Sequence, residues 1–250
     1  MLNELKVLSD HGRQYISDLR NRPVSEKFRG RPVISGDITG DEIKEVSAMC
    51  PVGAIDARCG AIDMGKCLFC NECALMLPHR ISFTNDYRIA ANIREDLIVR
   101  PGQTGQIRPR DSAVRREIRH LFSKALKLRE VSAAGDNSCE MELTAAGNVN
   151  FDMGRFGIEF VASPRHADGI VITGPVSENM AEALRMTYDA IPDPKIIILA
   201  GTDAISGGLF AGSRALNRKF IDEHTVDLYV PGNPAHPLAF INGVLDMLAI

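Results

Sequence analysis

Along the 250-residue chain the rhythm of apolar and polar positions changes partway. In the first hundred residues the apolar groups are short and broken. Residues 1–28 predict a short helical lead-in; Asp41–Met49 carries Ile43 and Val46 at helical spacing, and Ala61–Met64 and Ile81–Thr84 predict small strands. Arg100-Pro101-Gly102-Gln103-Thr104-Gly105 has Pro and Gly and no period, which predicts a linker. From Arg110 to Glu130, Val114, Ile118, Leu121, Ala125 and Leu128 recur at helical spacing and predict one amphipathic helix. Its other face holds Arg115, Arg116, Arg119 and Lys127, readable as solvated charge or as a docking surface for an acidic partner. Buried-strand and helix signals then alternate. Gly157–Ala162, Gly169–Gly174, Lys195–Gly201 and Val226–Val230 predict strands, Ser177–Ile191 a helix with Ser177 as N-cap, and Pro237–Ile250 a closing helix. Ile196-Ile197-Ile198-Leu199 is a continuous apolar run, as expected of a strand covered on both faces. Strand–helix alternation of this kind predicts a parallel α/β sheet. No internal repeat or low-complexity tract interrupts it.

Composition narrows the picture little. With 45% hydrophobic and 24% charged residues the chain can build an ordinary core. A net charge of −3 gives no global electrostatic case for nucleic acid or an anionic membrane. No apolar run approaches the ~18 residues of a spanning helix, and Met1 to Arg22 contains no apolar core of a secretory signal. A direct membrane span is therefore not expected, and any membrane link would run through partner subunits.

The cysteines change the picture more. Five of the six lie between Cys50 and Cys73, and Cys139 stands apart. Such density in a chain without a visible leader suggests metal rather than disulfides. Cys67-Leu68-Phe69-Cys70-Asn71-Glu72-Cys73 is Cys-x2-Cys-x2-Cys, the spacing that folds three thiolates around one corner of an iron–sulfur cube. The fourth ligand of such a cube comes from a Cys-Pro elsewhere, and Cys50-Pro51 supplies one. Cys50, Cys67, Cys70 and Cys73 are thus the expected ligands of one 4Fe–4S cluster. In a two-cluster ferredoxin the second cube would draw on positions here held by Gly40, Ile43, Val46 and Leu77, and all four lack sulfur. The pattern is that of a two-cluster domain that has lost one whole cube and filled the space with apolar residues. Zinc on four thiolates and a redox-active dithiol are the rival readings, though zinc sites more often pair two Cys-x2–4-Cys knuckles and the triple spacing has no part in dithiol chemistry. Cys59 is expected to be a free structural thiol.

Beyond spacing, Phe28-Arg29-Gly30-Arg31-Pro32, Cys50-Pro51-Val52-Gly53-Ala54-Ile55, Gly65-Lys66-Cys67-Leu68-Phe69-Cys70 and Arg94-Glu95-Asp96-Leu97 resemble the polyferredoxin-type subunit of formate-hydrogenlyase-like membrane hydrogenases, over about residues 28–100. Residues 131–250 resemble a different subunit, the small subunit of energy-converting nickel–iron hydrogenases, equivalent to the 20-kDa (B) subunit of complex I. The carriers are Cys139-Glu140-Met141-Glu142, Phe151-Asp152-Met153-Gly154-Arg155-Phe156-Gly157, Ser163-Pro164-Arg165-His166-Ala167-Asp168, Thr173-Gly174-Pro175-Val176, Ala200 to Gly208 and Val230-Pro231-Gly232-Asn233-Pro234. The chain looks like a fusion of the two.

This resemblance implies a ferredoxin-like 4Fe–4S domain over residues 1–104, followed by a flavodoxin-like parallel-sheet α/β domain over 105–250. It implies an iron–sulfur electron-transfer subunit, not itself catalytic, of a membrane-associated hydrogenase-like or complex I-like oxidoreductase. Its partners would be a large subunit, membrane subunits and a ferredoxin or similar redox protein. The location would be cytoplasmic, peripheral on the inner face of the membrane. Family members hold a proximal 4Fe–4S cluster on four cysteines. The matching positions here are Asp136, Cys139, Asp203 and Asn233, so one thiol remains. Oxygen ligands replace thiolate poorly in such cubes, and no ordinary proximal cluster is expected. The degenerate pocket is open to three readings: a scaffold whose relay role has lapsed, a site for a small ligand or a hard cation, or an atypical cluster with Asp ligands. A structural or assembly subunit is the corresponding alternative for the whole chain. Glu142 is a weak candidate for proton traffic, and Arg155, Arg165, His166 and Asp168 are expected to serve scaffold hydrogen bonding and large-subunit docking. Gly207-Gly208 is expected to allow close backbone approach rather than to cradle phosphate.

Overall fold

In a computed structural model, which describes residues 2–12 and 14–250, the rear half is organised by strands that are apolar on both faces. Met1 and Arg13, both within the predicted lead-in, lie outside the described residues. β7 (Gly169–Thr173) and β8 (Ile196–Ala200) are buried at every position, as a parallel strand must be when helices cover both sides of the sheet. With β5 (Leu126–Ser132), β6 (Ile158–Phe160) and β9 (Leu228–Val230) they form a five-stranded parallel sheet in the order β6-β5-β7-β8-β9. Helices α4 (Arg116–Phe122), α5 (Ser138–Ala146), α6 (Glu178–Asp189), α7 (Thr202–Ser206), α8 (Lys219–Glu223) and α9 (Pro237–Leu248) connect and flank it. α9 is apolar along almost its whole circumference, and all its residues but Asp246 are buried. Each Leu, Ile or Phe so placed contributes about 1.5–3 kcal/mol. Pro237 opens α9 at a position where a missing N–H costs nothing, and His236 Nδ1 accepts the Leu238 N–H at 3.1 Å.

The front half is built from smaller pieces. α1 (Leu2–His11) is followed by β1 (Pro32–Ile34), α2 (Gly40–Met49), β2 (Ile62–Asp63), α3 (Glu72–Met76), β3 (Ile81–Phe83) and β4 (Ile98–Val99). β1 pairs antiparallel with β3, and β2 with β4. α2 starts on a capping box: Thr39 Oγ1 accepts the Glu42 N–H, and the Glu42 carboxylate accepts the Thr39 N–H at 2.7 Å. Ile43 and Val46, at two of the positions where a two-cluster ferredoxin would place thiols, are buried in the core.

Two predicted elements are corrected. The lead-in is helical only over α1. Beyond it the Asp18 carboxylate accepts the N–H groups of Arg20 and Asn21, a local turn that competes with helix, and Pro23 follows. The helix predicted over Arg110–Glu130 is two elements, α4 and then β5. Leu126 and Leu128 are buried while Lys127 is exposed, a period of two, and β5 is paired on both sides, with β6 and β7. Leu128 satisfies both periods, and the pairing decides.

Residues 16–20 of the lead-in run across the rear half, and Leu19 also meets the front half, its carbonyl accepting the Tyr87 hydroxyl at 3.1 Å. The Ile16 N–H reaches the Asn150 carbonyl at 2.8 Å, and Arg155 donates to the Ile16 carbonyl at 2.6 Å. Asn242 Nδ2, inside α9, donates to the Leu19 carbonyl at 2.9 Å, and Arg20 pairs with Asp246. Among the described residues no helix is long and apolar enough to cross a membrane.

Candidate iron–sulfur site

Cys50 lies where α2 stops. Its backbone is extended (φ −68°, ψ 116°), and Pro51 disfavours helix at the residue before it. Cys67 and Cys70 follow β2 in an irregular loop, and Cys73 falls in the first turn of α3. The loop turns tightly because Phe69 and Asn71 both adopt left-handed backbone (φ 53° and 75°). For Phe that conformation costs roughly 1–2 kcal/mol, and it accompanies an aligned donor: the Phe69 N–H points at Cys67 Sγ, 3.3 Å away. The Ala54 N–H meets Cys50 Sγ at the same distance. Backbone N–H groups turned inward like this form the electropositive concavities that Fe–S sites use.

The four cysteines line one pocket, together with Met49, Pro51, Val52, Ile55, Ile62 and Phe83. Cys67 and Cys73 are buried, Cys50 is half-buried and Cys70 is exposed, so the pocket opens at Cys70. Burial pushes the Cys67 thiol up to about 12, against the N–H of Phe69, with the other three cysteines adding to the rise. Burial likewise raises Cys73 to about 11, with Cys70 and Cys50 contributing. Each of the two deepest thiols therefore feels its fellows, and Cys67 and Cys73 favour the neutral thiol until a cationic centre displaces their protons.

Among the described residues no three His, Cys, Asp or Glu side chains converge closely enough to hold a single metal ion. Donor type, number, shared apolar pocket and N–H···S bonds are of the kind a 4Fe–4S cube takes. Cys59 is exposed and does not line this pocket.

The rear positions behave differently. Asp136 follows β5, Asp203 lies in the first turn of α7 after β8, and Asn233 follows β9, so all three are at the carboxyl edge of the sheet. Cys139, in α5, is buried, and its sulfur rests on the Gly201 backbone: a Cβ there would sit 2.4 Å from Sγ, at φ +93°. Burial pushes this thiol up to about 12, opposed by the Ala235 N–H and helped by the charges of Glu140, Asp203 and Asp136. The Asp136 carboxylate is already used, accepting from Ser138 N at 2.9 Å and Ser138 Oγ at 2.5 Å, bonds that lower its pKa. Asp203 Oδ1 packs over Gly208, where a Cβ would lie 1.8 Å away, so Gly208 serves close approach. Burial and the charges of Asp136 and Glu140 raise the Asp203 pKa. Asn233 is exposed and lines a separate pocket with Phe28, Phe69, Glu142 and His236. Of the rear positions, Asp136 is held by Ser138, Cys139 and Asp203 pack on glycine backbone, and Asn233 lines a different pocket.

Of the remaining predicted residues, Asp168 ties strands, its Oδ2 accepting the Lys127 N–H at 2.7 Å. Arg155 stacks on Tyr15 and Phe156. Arg165 and His166 are exposed on a 3₁₀ turn. Burial raises the Glu142 pKa. Sequence reasoning passed over Glu130, whose carboxyl is raised to about 7 by burial and then by the charge of Glu140. The signal was its parity: it sits on the Leu126/Leu128 face of β5, where the alternation calls for an apolar residue.

Comparison with known proteins bears on the rear half. Residues 137–247 match the family described as NADH ubiquinone oxidoreductase, 20 Kd subunit. The chain is similar to the probable membrane-bound hydrogenase subunit mbhJ of Pyrococcus furiosus, 38% identical over 115 residues, which are 46% of this chain and 69% of that one. It is also similar to an NADH-quinone oxidoreductase subunit of Desulfovibrio desulfuricans, 42% identical over 112 residues, 45% of this chain and 61% of that one. A chain in the structure of the membrane-bound sulfane sulfur reductase, an archaeal respiratory membrane complex, aligns at 26% identity and a TM-score of 0.46, covering 53% of this chain and 73% of that one. With a parallel α/β sheet in the rear half, the family match over residues 137–247 and 38% identity spanning 69% of the Pyrococcus furiosus hydrogenase subunit, the chain belongs through its rear half to the NADH ubiquinone oxidoreductase 20 Kd subunit family.

Proposed function

We propose that this chain is an iron–sulfur electron-transfer subunit of a membrane-bound complex of the hydrogenase or NADH-quinone oxidoreductase kind. A ferredoxin-like unit (residues 1–104) would carry one 4Fe–4S cluster on Cys50, Cys67, Cys70 and Cys73, and a flavodoxin-like unit (residues 105–250) would dock to a large subunit. The observation that carries the reading is the shared pocket of four cysteines, two of whose sulfurs accept backbone N–H bonds. The names of the relatives support membership of such a complex. The cluster would exchange single electrons with a ferredoxin or similar protein, while the polypeptide supplies ligation, burial and orientation. Attachment to the inner face of the membrane would be peripheral, through partner subunits.

At the rear the reading is a retained scaffold without an ordinary proximal cluster. Asp136 is held by Ser138, Asn233 faces a different pocket, and no ion-sized cage forms among the described residues, so a hard cation gains no support there. This same feature favours a second reading, a structural or assembly subunit in which the front cube acts as a staple. Iron and sulfide analysis with EPR on anaerobically purified protein tests the first reading. About four irons per chain and a reducible cubane signal are expected. Zinc in place of iron, or an iron-free protein, overturns it. A cube that no redox partner can reduce selects the staple.

A further inference from the structure

The front loop and the rear sheet meet at a buried hydroxyl. Thr202 opens α7 and is 1% exposed. Its Oγ1 donates to the carbonyl of Cys67, 135 positions away, at 2.8 Å, and its N–H reaches the Gly232 carbonyl at 2.8 Å. The approach is close on either side of that bond. Gly65, two residues before Cys67, has no room for a side chain: a Cβ would lie 2.8 Å from both the Arg94 guanidinium and Ile205 Cγ2. Arg94 is itself fixed by a two-pronged pair with Asp63, at 2.8 and 2.7 Å. Arg218 holds α7 from behind, donating to the carbonyls of Asp203 and Ile205.

We infer that Thr202 is a positioning residue for the cluster site, holding the Cys67 carbonyl so that the Phe69 N–H stays aimed at Cys67 Sγ. The inference rests on the cluster reading proposed above. The potential of a cube is set by hydrogen bonds to its sulfurs and by exposure to water. A residue of the α/β half therefore governs both quantities at the deepest ligand of the front half. Removing the hydroxyl takes a partner from a buried carbonyl; the loop moves toward water to replace it, and the N–H···S bond loosens with it.

Thr202→Val removes the hydroxyl and keeps the volume, Thr202→Ser keeps the hydroxyl, and Thr173→Val removes another buried hydroxyl that bonds Glu140 and does not touch the loop. The measurements are the midpoint potential, the EPR g-values and the rate of iron release to a chelator, all on the full chain. Thr202→Val is expected to shift the potential and g-values and to release iron roughly tenfold faster. Thr202→Ser should return all three to wild-type values, and Thr173→Val should leave them there. If Thr202→Val fails to fold, Thr202→Ala carries the same comparison. A wild-type protein without about four irons overturns the cluster reading and this inference together. A full wild-type cube whose potential, g-values and release rate are unchanged in Thr202→Val or Thr202→Ala overturns this inference alone.

Discussion

Replacing Glu130 by Gln should stabilise the protein at neutral and alkaline pH and leave it unchanged in acid. The carboxyl is raised from its ordinary 4.5 to about 7, first by burial and second by the Glu140 charge, with Arg129 opposing. A raised carboxylate keeps a proton in the folded state that the unfolded chain gives up. Between pH 4.5 and 7 the folded state therefore binds more protons, and stability falls as pH rises. Below 4.5 both states are protonated and no penalty exists; above 7 it is fully present. At about 1.36 kcal/mol per pH unit the full difference is about 3.4 kcal/mol. Glu130 is only half-buried, and water on its open side reduces this to about 1–2 kcal/mol. Gln resembles the protonated acid and carries no such penalty. Urea unfolding followed by circular dichroism, from pH 5 to 9, should show the gap between Glu130→Gln and wild type growing from near zero to about 1–2 kcal/mol at pH 8. A gap that stays constant across this range, or shrinks as pH rises, would refute the assignment of a buried, acid-favouring carboxyl on β5.

Asn242→Ala should cost about 2–3 kcal/mol in the same unfolding assay, because Nδ2 donates to the carbonyls of both Leu19 and Leu238 inside the core; a loss below about 0.5 kcal/mol would show those bonds to be idle. Replacing Asp136, Asp203 and Asn233 together by Cys should leave the iron content of the chain unchanged, because Asn233 lines a pocket that Asp136, Cys139 and Asp203 do not share. A rise of about four irons per chain would show that the rear edge can still close around a second cube.

What could be read along the chain was what lies in local period and spacing. Ile196–Leu199 and Gly169–Thr173 announce covered parallel strands because their apolar runs are unbroken. The helical spacing of Ser177–Ile191 likewise yields α6 nearly end to end. The Cys-x2-Cys-x2-Cys run and the distant Cys-Pro line one pocket. Readings failed where two periods coincide. Leu121, Ala125 and Leu128 continue the helix of α4 on paper, yet no Gly or Pro marks the turn at Ser123-Lys124, and sheet partners from beyond residue 157 decide the outcome. The lead-in failed for another reason, since Asp18 folds a turn from its own side chain. Thr202 was invisible as a site residue: its partner is 135 residues distant, and a threonine at a helix start carries no mark of what its hydroxyl touches.

The strand of peptide at residues 16–20 has an outcome for how the molecule can be divided. Leu19, 2% exposed, lies against α9 with its carbonyl taken by Asn242 and by the Tyr87 hydroxyl, while Arg20 also reaches the carbonyl of Ile250. A fragment begun at residue 105 would uncover that seat, strip Asp246 of its guanidinium and leave the last helix without its seam. Excising the front half alone would pull the same ribbon off its berth. Two units joined only by a tether could drift apart; here residues 16–20 are stitched to the last helix, so the two halves keep one fixed spacing.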